Sequence, residues 1–134
     1  MTRNLLSAPG ALVVALTFAS GAAAQTTSYV RITMVTGATQ LIAHVSNVNP
    51  DCTSRGDTEV RIMTEPTSGA LRMAKQLGYG HFTGDYEQCS TRKVAGVSVY
   101  YTPQKGFIGS DSVQLDVFFP NGVERIENYA ITVK

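Results

Sequence analysis

The chain has 134 residues, enough for one ordinary domain and too few for two domains with separate hydrophobic cores. Hydrophobic residues make up 43% of the sequence and charged residues 16%, a balance that excludes a disordered polar chain. The formal net charge is +1, so no electrostatic excess indicates binding to nucleic acid or to an anionic membrane surface.

The first residues differ in composition from the rest of the chain. Arg3 is followed by the apolar run 11–19 and then by small residues that end at Ala24. The run is too short to span a bilayer, and Ala22-Ala23-Ala24 matches the small-x-small site of signal peptidase. We therefore predict a cleaved signal peptide over residues 1–24, a single domain over residues 25–134, and a secreted or periplasmic location. No cysteine stands near the cleavage site, so we expect neither lipid attachment nor membrane insertion of the mature chain.

An alternative for this first segment is a buried or amphipathic helix at the start of the domain. It is disfavoured because the segment has no polar face. Removal of the segment also removes Arg3, which leaves a mature chain with equal numbers of acidic and basic side chains.

Two cysteines, Cys52 and Cys89, are the whole cysteine content, and both follow the predicted cleavage site. An even pair with no third thiol favours one disulfide in an oxidising compartment. A metal ligand or a nucleophilic thiol would need further ligands or an activating base, and neither cysteine lies in a CxxC motif. We therefore predict a Cys52–Cys89 disulfide.

Short segments after the leader alternate between apolar and polar residues and are rich in β-branched and aromatic side chains, which is typical of β-strands. Turn residues separate them. The predicted strands lie at residues 30–35, 40–45, 59–63, 70–76, 97–101, 113–119 and 126–133. The polar stretch 46–57 contains Pro50 and Gly56, so we predict a long connection that is held at Cys52.

Two local turns are predicted to join neighbouring strands as hairpins. Residues 36–39 would connect the first two strands, and Pro120-Asn121-Gly122 the last two. In the last strand the apolar positions change phase between Ile126 and Tyr129, which suggests a β-bulge. Residues 78–84 are rich in glycine and have no regular period.

The pattern as a whole predicts an all-β fold. About seven strands without a convincing amphipathic helix favour an immunoglobulin-like antiparallel sandwich of two sheets. The chain has no Trp, so the inter-sheet Cys-Trp-Cys arrangement of antibody domains is absent. Since Cys52 falls in a predicted loop, we expect the disulfide to tie down a connection and not to join the sheets.

One stretch carries a family signature. Spaced positions between Tyr101 and Asp111 match the pattern Y-x-P-x-x-x-F-x-G-x-D-[ST], and a P-x-x-G turn lies upstream; the matching residues are Pro66, Gly69, Tyr101, Pro103, Phe107, Gly109 and Asp111. The sequence from about residue 58 to residue 134 thereby resembles bacterial Ig-like and cadherin-like domains of extracellular proteins. The resemblance implies an Ig-like sandwich that serves as a surface, adhesion or spacer module.

The residue types in this signature are those of a structural corner. Gly109 permits positive φ or close backbone approach, Phe107 can close the end of the sandwich, and Asp111 can accept backbone N–H groups. A calcium site at Asp111 would need other oxygen ligands that converge on it. The alternating Asn47, Asn49 and Asp51 also lack the Gly and Glu of a calcium loop, so calcium is not expected.

The two histidines allow a weak hypothesis of catalysis. His44 or His81 could activate Ser90 or Ser98, yet the sequence has no GxSxG, HExxH or other ordered catalytic motif. Met63 and Met73 are expected to fill the core and not to bind copper. We therefore predict no cofactor and a protein that is not an enzyme.

Two surfaces remain as candidates for recognition. Tyr100 and Phe118 should face away from the core, and if their strands pair the two rings would lie together on one exposed sheet. Loops on a rigid sandwich often carry recognition, which directs attention to Tyr79 and His81 in the glycine-rich stretch.

The function predicted from the sequence is an exported, non-enzymatic module that binds a protein or glycan of the envelope or serves there as a structural part. The alternative is a periplasmic enzyme or enzyme inhibitor that acts through residues 78–89. A third possibility is a structural subunit that stacks through exposed strand edges.

Overall fold

Seven strands and one short 3-10 helix make up the regular structure of residues 25–134, the part of the chain that the computed structural model describes. The predicted signal peptide lies outside the described residues. The 3-10 helix is Gly84–Thr91. The strands are β1 (Gln25–Met34), β2 (Gln40–Val45), β3 (Glu59–Thr64), β4 (Gly69–Tyr79), β5 (Lys93–Pro103), β6 (Gly109–Phe118) and β7 (Glu124–Val133).

The strands form two sheets, one with the order β1-β7-β6-β3 and the other with the order β2-β5-β4. This arrangement confirms the predicted all-β sandwich. All strand pairs are antiparallel apart from β1 and β7, which run parallel over the full length of β1. The first strand of the domain therefore lies beside the last one, at the edge of the four-stranded sheet.

The hairpin predicted at residues 36–39 is wrong. β1 pairs with β7 and β2 pairs with β5, so the segment crosses from one sheet to the other. The backbone N–H of Thr36 donates to the carbonyl of Lys134 at 2.8 Å, which holds the crossing segment against the end of β7. Gly37 has φ +78°, and a glycine turn of this kind serves a crossover as well as a hairpin.

The hairpin between β6 and β7 is present where Pro120-Asn121-Gly122 predicts it. The N–H of Phe119 donates to the carbonyl of Val123 at 2.9 Å, and Gly122 takes φ +83°. A three-residue loop with glycine in the left-handed region is one of the common hairpin connections.

The bulge predicted in the last strand is wrong. The register between β6 and β7 is unbroken from the Gly109–Val133 pair to the Phe118–Glu124 pair. The phase of the apolar residues changes because Glu127, a charged residue, occupies an inward position that an apolar residue would ordinarily fill. The register shifts lie elsewhere, in β2 and β3.

The main core lies between the two sheets. Val99, Tyr101, Leu115 and Ile131 are each 1% exposed or less, and they lie on the inward faces of β5, β6 and β7. Full burial of a side chain of this size contributes about 1.5–3 kcal/mol relative to an exposed one.

A second, smaller cluster packs around the disulfide. Val48, Cys89 and Val94 are buried there, and Phe82 and Tyr86 pack against them. The predicted bond between Cys52 and Cys89 is confirmed, with the two Cα atoms 5.3 Å apart. It ties the long connection 46–58 to the 3-10 helix, as the loop position of Cys52 suggested.

Candidate binding cleft

The signature residues form a hydrogen-bonded corner around Asp111. Its Oδ1 accepts the backbone N–H groups of Thr67 and Ser112, both at 2.9 Å. Its Oδ2 accepts the N–H of Ser68 and the hydroxyl of Tyr101, also at 2.9 Å. The carboxylate thus joins the turn after β3 to β5 and β6.

Two glycines of the signature are required by close packing in this corner. A Cβ on Gly69 would lie 2.4 Å from the ring of Tyr101, so only glycine fits beneath that ring. Gly109 has φ +145°, and its position is closed on one side by the ring of Phe107. Pro103 is buried and pairs with Gly69, and Pro66 is half-buried in the turn.

The electrostatics of the corner are those of a structural anchor. Burial alone would raise the pKa of Asp111, but the hydrogen bonds from Thr67, Ser68, Tyr101 and Ser112 outweigh it and lower the pKa. Burial, and then the bond to Asp111, raise the pKa of Tyr101. With the Thr67 hydroxyl as a further donor, the oxygens of Asp111 are taken up by the protein itself.

The strand pairing on which a joint surface of Tyr100 and Phe118 depended does not occur. Tyr100 lies on β5 and Phe118 on β6, and these strands belong to different sheets. Each ring is half-buried under an arginine of its neighbouring strand, Arg72 at 4.4 Å from the Tyr100 ring and Arg61 at 4.7 Å from the Phe118 ring. These cation–π contacts cover the two rings and leave no joint aromatic patch.

His44 is held by hydrogen bonds to β5. Its Nε2 donates to the carbonyl of Val94 at 3.0 Å, and its Nδ1 bonds with Ser98 Oγ at 2.8 Å. Gly78 and Gly96 make room for the ring, since a Cβ on either would lie 3.0 Å or less from it. Ser98 is 0% exposed, so its hydroxyl lies out of reach of a substrate although it is paired with a histidine.

Ser90, the other candidate nucleophile, forms its hydrogen bonds with the backbone and not with a histidine. Ser90 Oγ accepts the N–H of Phe82 at 2.9 Å and donates to its carbonyl at 3.2 Å, which fixes the segment before the 3-10 helix. His81 is exposed. The serines that the sequence singled out are therefore occupied in structural bonds.

A cleft of about 490 Å³ opens between the two sheets on the side where β1 faces β2. Residues 41–45 of β2 form one wall, and β1 contributes Ser28 and Val30 to the other. Tyr79 and His81, both named from the sequence, also line it. Its size lies within the range of about 300–1,000 Å³ that is usual for sites of small ligands.

The polar wall of the cleft is a charged network on β7. Glu127 is only 6% exposed, and its Oε1 accepts from Arg125 Nε at 2.7 Å. Its Oε2 accepts the hydroxyl of Tyr129 at 2.5 Å, and burial together with this carboxylate raises the pKa of that hydroxyl. Arg125 also stacks 5.0 Å from the ring of Phe119.

Glu127 is buried, whereas the Arg125 side chain is 36% exposed. This ion pair adds little to stability, because desolvation of the carboxylate offsets much of the attraction and solvent at the guanidinium weakens the rest. A guanidinium has five N–H donors, and two nitrogens of Arg125 contact Glu127. Arg125 therefore keeps N–H donors for a ligand that enters the cleft. The neighbouring Glu127 carboxylate can accept a hydrogen bond from the same ligand.

Sequence reasoning missed Arg125 and Glu127. The sequence feature that could have revealed them is the change of phase between Ile126 and Tyr129, which was interpreted as a β-bulge. A charged residue at an inward position explains the same phase change. To choose between the two explanations one must know which residues face this position from the other sheet.

The apolar contribution to the cleft comes from the end of β4. Tyr79 is 55% exposed, with Lys93 Nζ 5.8 Å from its ring centre. An exposed ring of this kind presents a flat apolar face with a polar tip.

Residues 25–134 contain no group of three or more His, Cys, Asp or Glu side chains placed to hold a metal ion. Within the same residues, no helix is long and apolar enough to cross a membrane.

No protein-family model matches the chain, and a search of curated proteins finds no match either.

Proposed function

We propose that the chain is an exported, non-catalytic Ig-like module that binds a glycan of the cell envelope in the cleft between its two sheets. The observation that carries the proposal is the ion pair of half-buried Arg125 with buried Glu127, in a cleft that Tyr79 and His81 also line.

The strand order supports the Ig-like part of the proposal. In an Ig sandwich the second, fifth and fourth strands form one sheet and the third, sixth and seventh form the other. The same grouping occurs here, with β1 added beside β7. Disulfides form in oxidising compartments, so the Cys52–Cys89 bond supports export of the chain, which the predicted signal peptide also implies.

The side chains of the cleft match the chemistry of a sugar. A pyranose ring has C–H groups that pack on an aromatic face, which Tyr79 offers. The sugar hydroxyls donate hydrogen bonds to carboxylates and accept them from guanidinium groups. Glu127 supplies the carboxylate and Arg125 the guanidinium, side by side on β7. His81 adds a further polar side chain at the cleft.

Binding to envelopes tests the proposal. The oxidised chain is mixed with washed envelopes of the producing cells, and the bound fraction is measured by co-sedimentation. We expect saturable binding that survives protease treatment of the envelopes and a calcium chelator, and that is lost after periodate oxidation of their sugars. Loss on protease treatment would identify a protein ligand and would overturn the glycan proposal.

A pair of matched variants assigns the binding to the cleft. Tyr79→Ala should weaken binding about fivefold, because an aromatic contact contributes about 1 kcal/mol. Tyr29→Ala removes a ring from β1 that is more exposed than Tyr79 and lies outside the cleft, and it should leave the affinity unchanged. Equal effects of the two variants would show that the cleft is not the binding site.

The alternative of an enzyme or inhibitor that acts through residues 78–89 predicts a different outcome. His81→Ala would then abolish turnover or inhibition in a hydrolase panel without a change in thermal stability. Under our proposal the wild-type chain gives no turnover in that panel.

A further inference from the structure

The free edge of β4 has the features of a pairing surface. β4 has 11 residues and lies at the edge of the three-stranded sheet. Its register with β5 is unbroken over its whole length, whereas the edge strands β2 and β3 both contain register shifts. A long, regular edge strand without proline presents unpaired backbone groups to any other strand.

The same edge also exposes apolar side chains. Leu77 is 64% exposed and Met73 is 40% exposed, and both lie on the core-facing side of β4. Beside them a groove of about 400 Å³ runs between β3 and β4, with Val60, Met73 and Val97 among its lining residues. The Lys75–Asp57 ion pair that spans this groove is 3.5 Å long and highly exposed, so it closes the groove only weakly.

We propose that a second copy of this chain pairs with this edge, β4 against β4 in antiparallel orientation, with a two-fold axis at Ala74. Such an axis stands perpendicular to the sheet, so the two three-stranded sheets join into one sheet of six strands. The core-facing sides of both copies then lie on the same side, and the exposed Leu77 of each copy meets the half-buried Leu71 of the other.

The sequence of β4 is self-complementary in this register. Leu71 stands opposite the partner's Leu77, and this apolar pair occurs twice. Arg72 stands opposite the partner's Gln76, and Lys75 opposite the partner's Met73, so no like charges face each other. Since β4 extends five residues to each side of Ala74, all of its residues find a partner.

Other registers are poorer. A one-residue slip would place core-facing residues opposite solvent-facing ones and is excluded by the pleat. An axis at Lys75 would set that side chain against its own copy, and like charges directly opposite destabilise a sheet. An axis at Met73 would leave Leu77 opposite a glycine and Leu71 opposite a lysine. The axis at Lys75 would pair Met73 with Leu77, so charge alone favours the register centred on Ala74 over it. Apolar pairing favours the Ala74 register over the axis at Met73.

The interface and the glycan cleft share one residue: Tyr79, the last residue of β4, lines the cleft and in this register stands opposite the partner's Gly69. The residues that the dimer tests change, Leu77, Ala74 and Gln76, do not line the cleft. Failure of the dimer would leave the glycan proposal intact, and the reverse also holds.

Sedimentation equilibrium of the oxidised chain tests the association. We expect a monomer–dimer equilibrium whose dissociation constant rises about tenfold in Leu77→Lys, because two cross-strand apolar pairs are lost per dimer. The control is Tyr29→Lys on β1, the other edge strand without a register shift, which should leave the equilibrium unchanged. A monomer at all concentrations, or a dimer that only Tyr29→Lys dissociates, would overturn the proposal.

A cysteine cross-link tests the register and does not depend on Leu77→Lys remaining folded. Both native cysteines are bonded to each other, so an introduced thiol has no competitor. Ala74→Cys places two thiols face to face across the axis and should give a covalent dimer on mild oxidation. Gln76→Cys lies opposite Arg72 and not opposite itself, so it should not cross-link. The reverse pattern would refute the register.

Discussion

Replacement of Asp111 by asparagine removes one oxygen from the corner that joins β5, β6 and the turn after β3. The shape of the side chain is kept, but one of its two acceptors becomes a donor. On the Oδ2 side this donor would meet the N–H of Ser68 and the hydroxyl of Tyr101, which both donate to Oδ2 in the native protein. The Tyr101 hydroxyl can turn towards the carbonyl of Ser68, 3.4 Å away, but the Ser68 N–H loses its acceptor.

The cost follows from these contacts. A buried donor left without a partner costs about 1–3 kcal/mol, and hydrogen bonds to a charged acceptor are stronger than those to a neutral one. We therefore expect Asp111→Asn to lower the free energy of unfolding by about 3 kcal/mol. Tyr101→Phe removes a single hydrogen bond to the same carboxylate and should cost about 2 kcal/mol.

Urea unfolding at pH 7, followed by circular dichroism, measures both variants. Ser110→Ala is the control, since this residue is exposed and neighbours Asp111. A loss below about 0.5 kcal/mol for Asp111→Asn, the size of an ordinary surface substitution, would refute the assignment of the corner as a structural anchor.

Three further predictions concern stability. Hydrogen bonds hold the pKa of Asp111 below its unfolded value of about 4. Its stabilising contribution is therefore present above that pH and is lost as the pH falls through the folded pKa. Melting curves between pH 6 and pH 2 should show this fall in melting temperature for the wild type, and Asp111→Asn should lack it. The double variant Cys52→Ala/Cys89→Ala should lower the free energy of unfolding by about 4 kcal/mol through loop entropy, and an unchanged urea midpoint would contradict this. A Cβ on Gly96 would lie 2.3 Å from the carbonyl oxygen of Val45, so Gly96→Ala should cost about 1–3 kcal/mol by the same assay, and full stability would show that β2 can move.

The strands could be predicted from the sequence because each one is encoded locally. Val97, Val99 and Tyr101 alternate with polar or exposed positions, and the same period recurs in β6. The disulfide was predictable for a similar reason, since only two cysteines exist.

Strand pairing was harder to predict than the strands themselves, because it depends on segments that are distant in the sequence. Gly37 indicates a turn but not whether the chain returns to the same sheet, and the predicted hairpin was wrong for that reason. The outward direction of Tyr100 and Phe118 could be predicted from the alternation along each strand, but whether their two strands pair could not. The parallel contact of β1 with β7 joins the two ends of the domain, which no short sequence window reveals.

The cleft illustrates the same limit. Tyr79 and His81 were named from the sequence because they stand in an irregular, glycine-rich stretch. Arg125 and Glu127 lie in a regular strand, where charged residues ordinarily face solvent. Only the position of Glu127 on the inward side of β7 shows that the pair belongs to the cleft.

The most direct measurement is the affinity of the chain for polysaccharide released from the envelopes of the producing cells, by isothermal titration calorimetry. The comparison is between the wild type and Arg125→Met/Glu127→Met, because replacement of an ion pair with a buried carboxylate by apolar residues is often neutral for stability. Our account predicts measurable heat for the wild type and none for the double variant, with equal melting temperatures. Equal affinities for the two proteins, or no binding by the wild type, would contradict it.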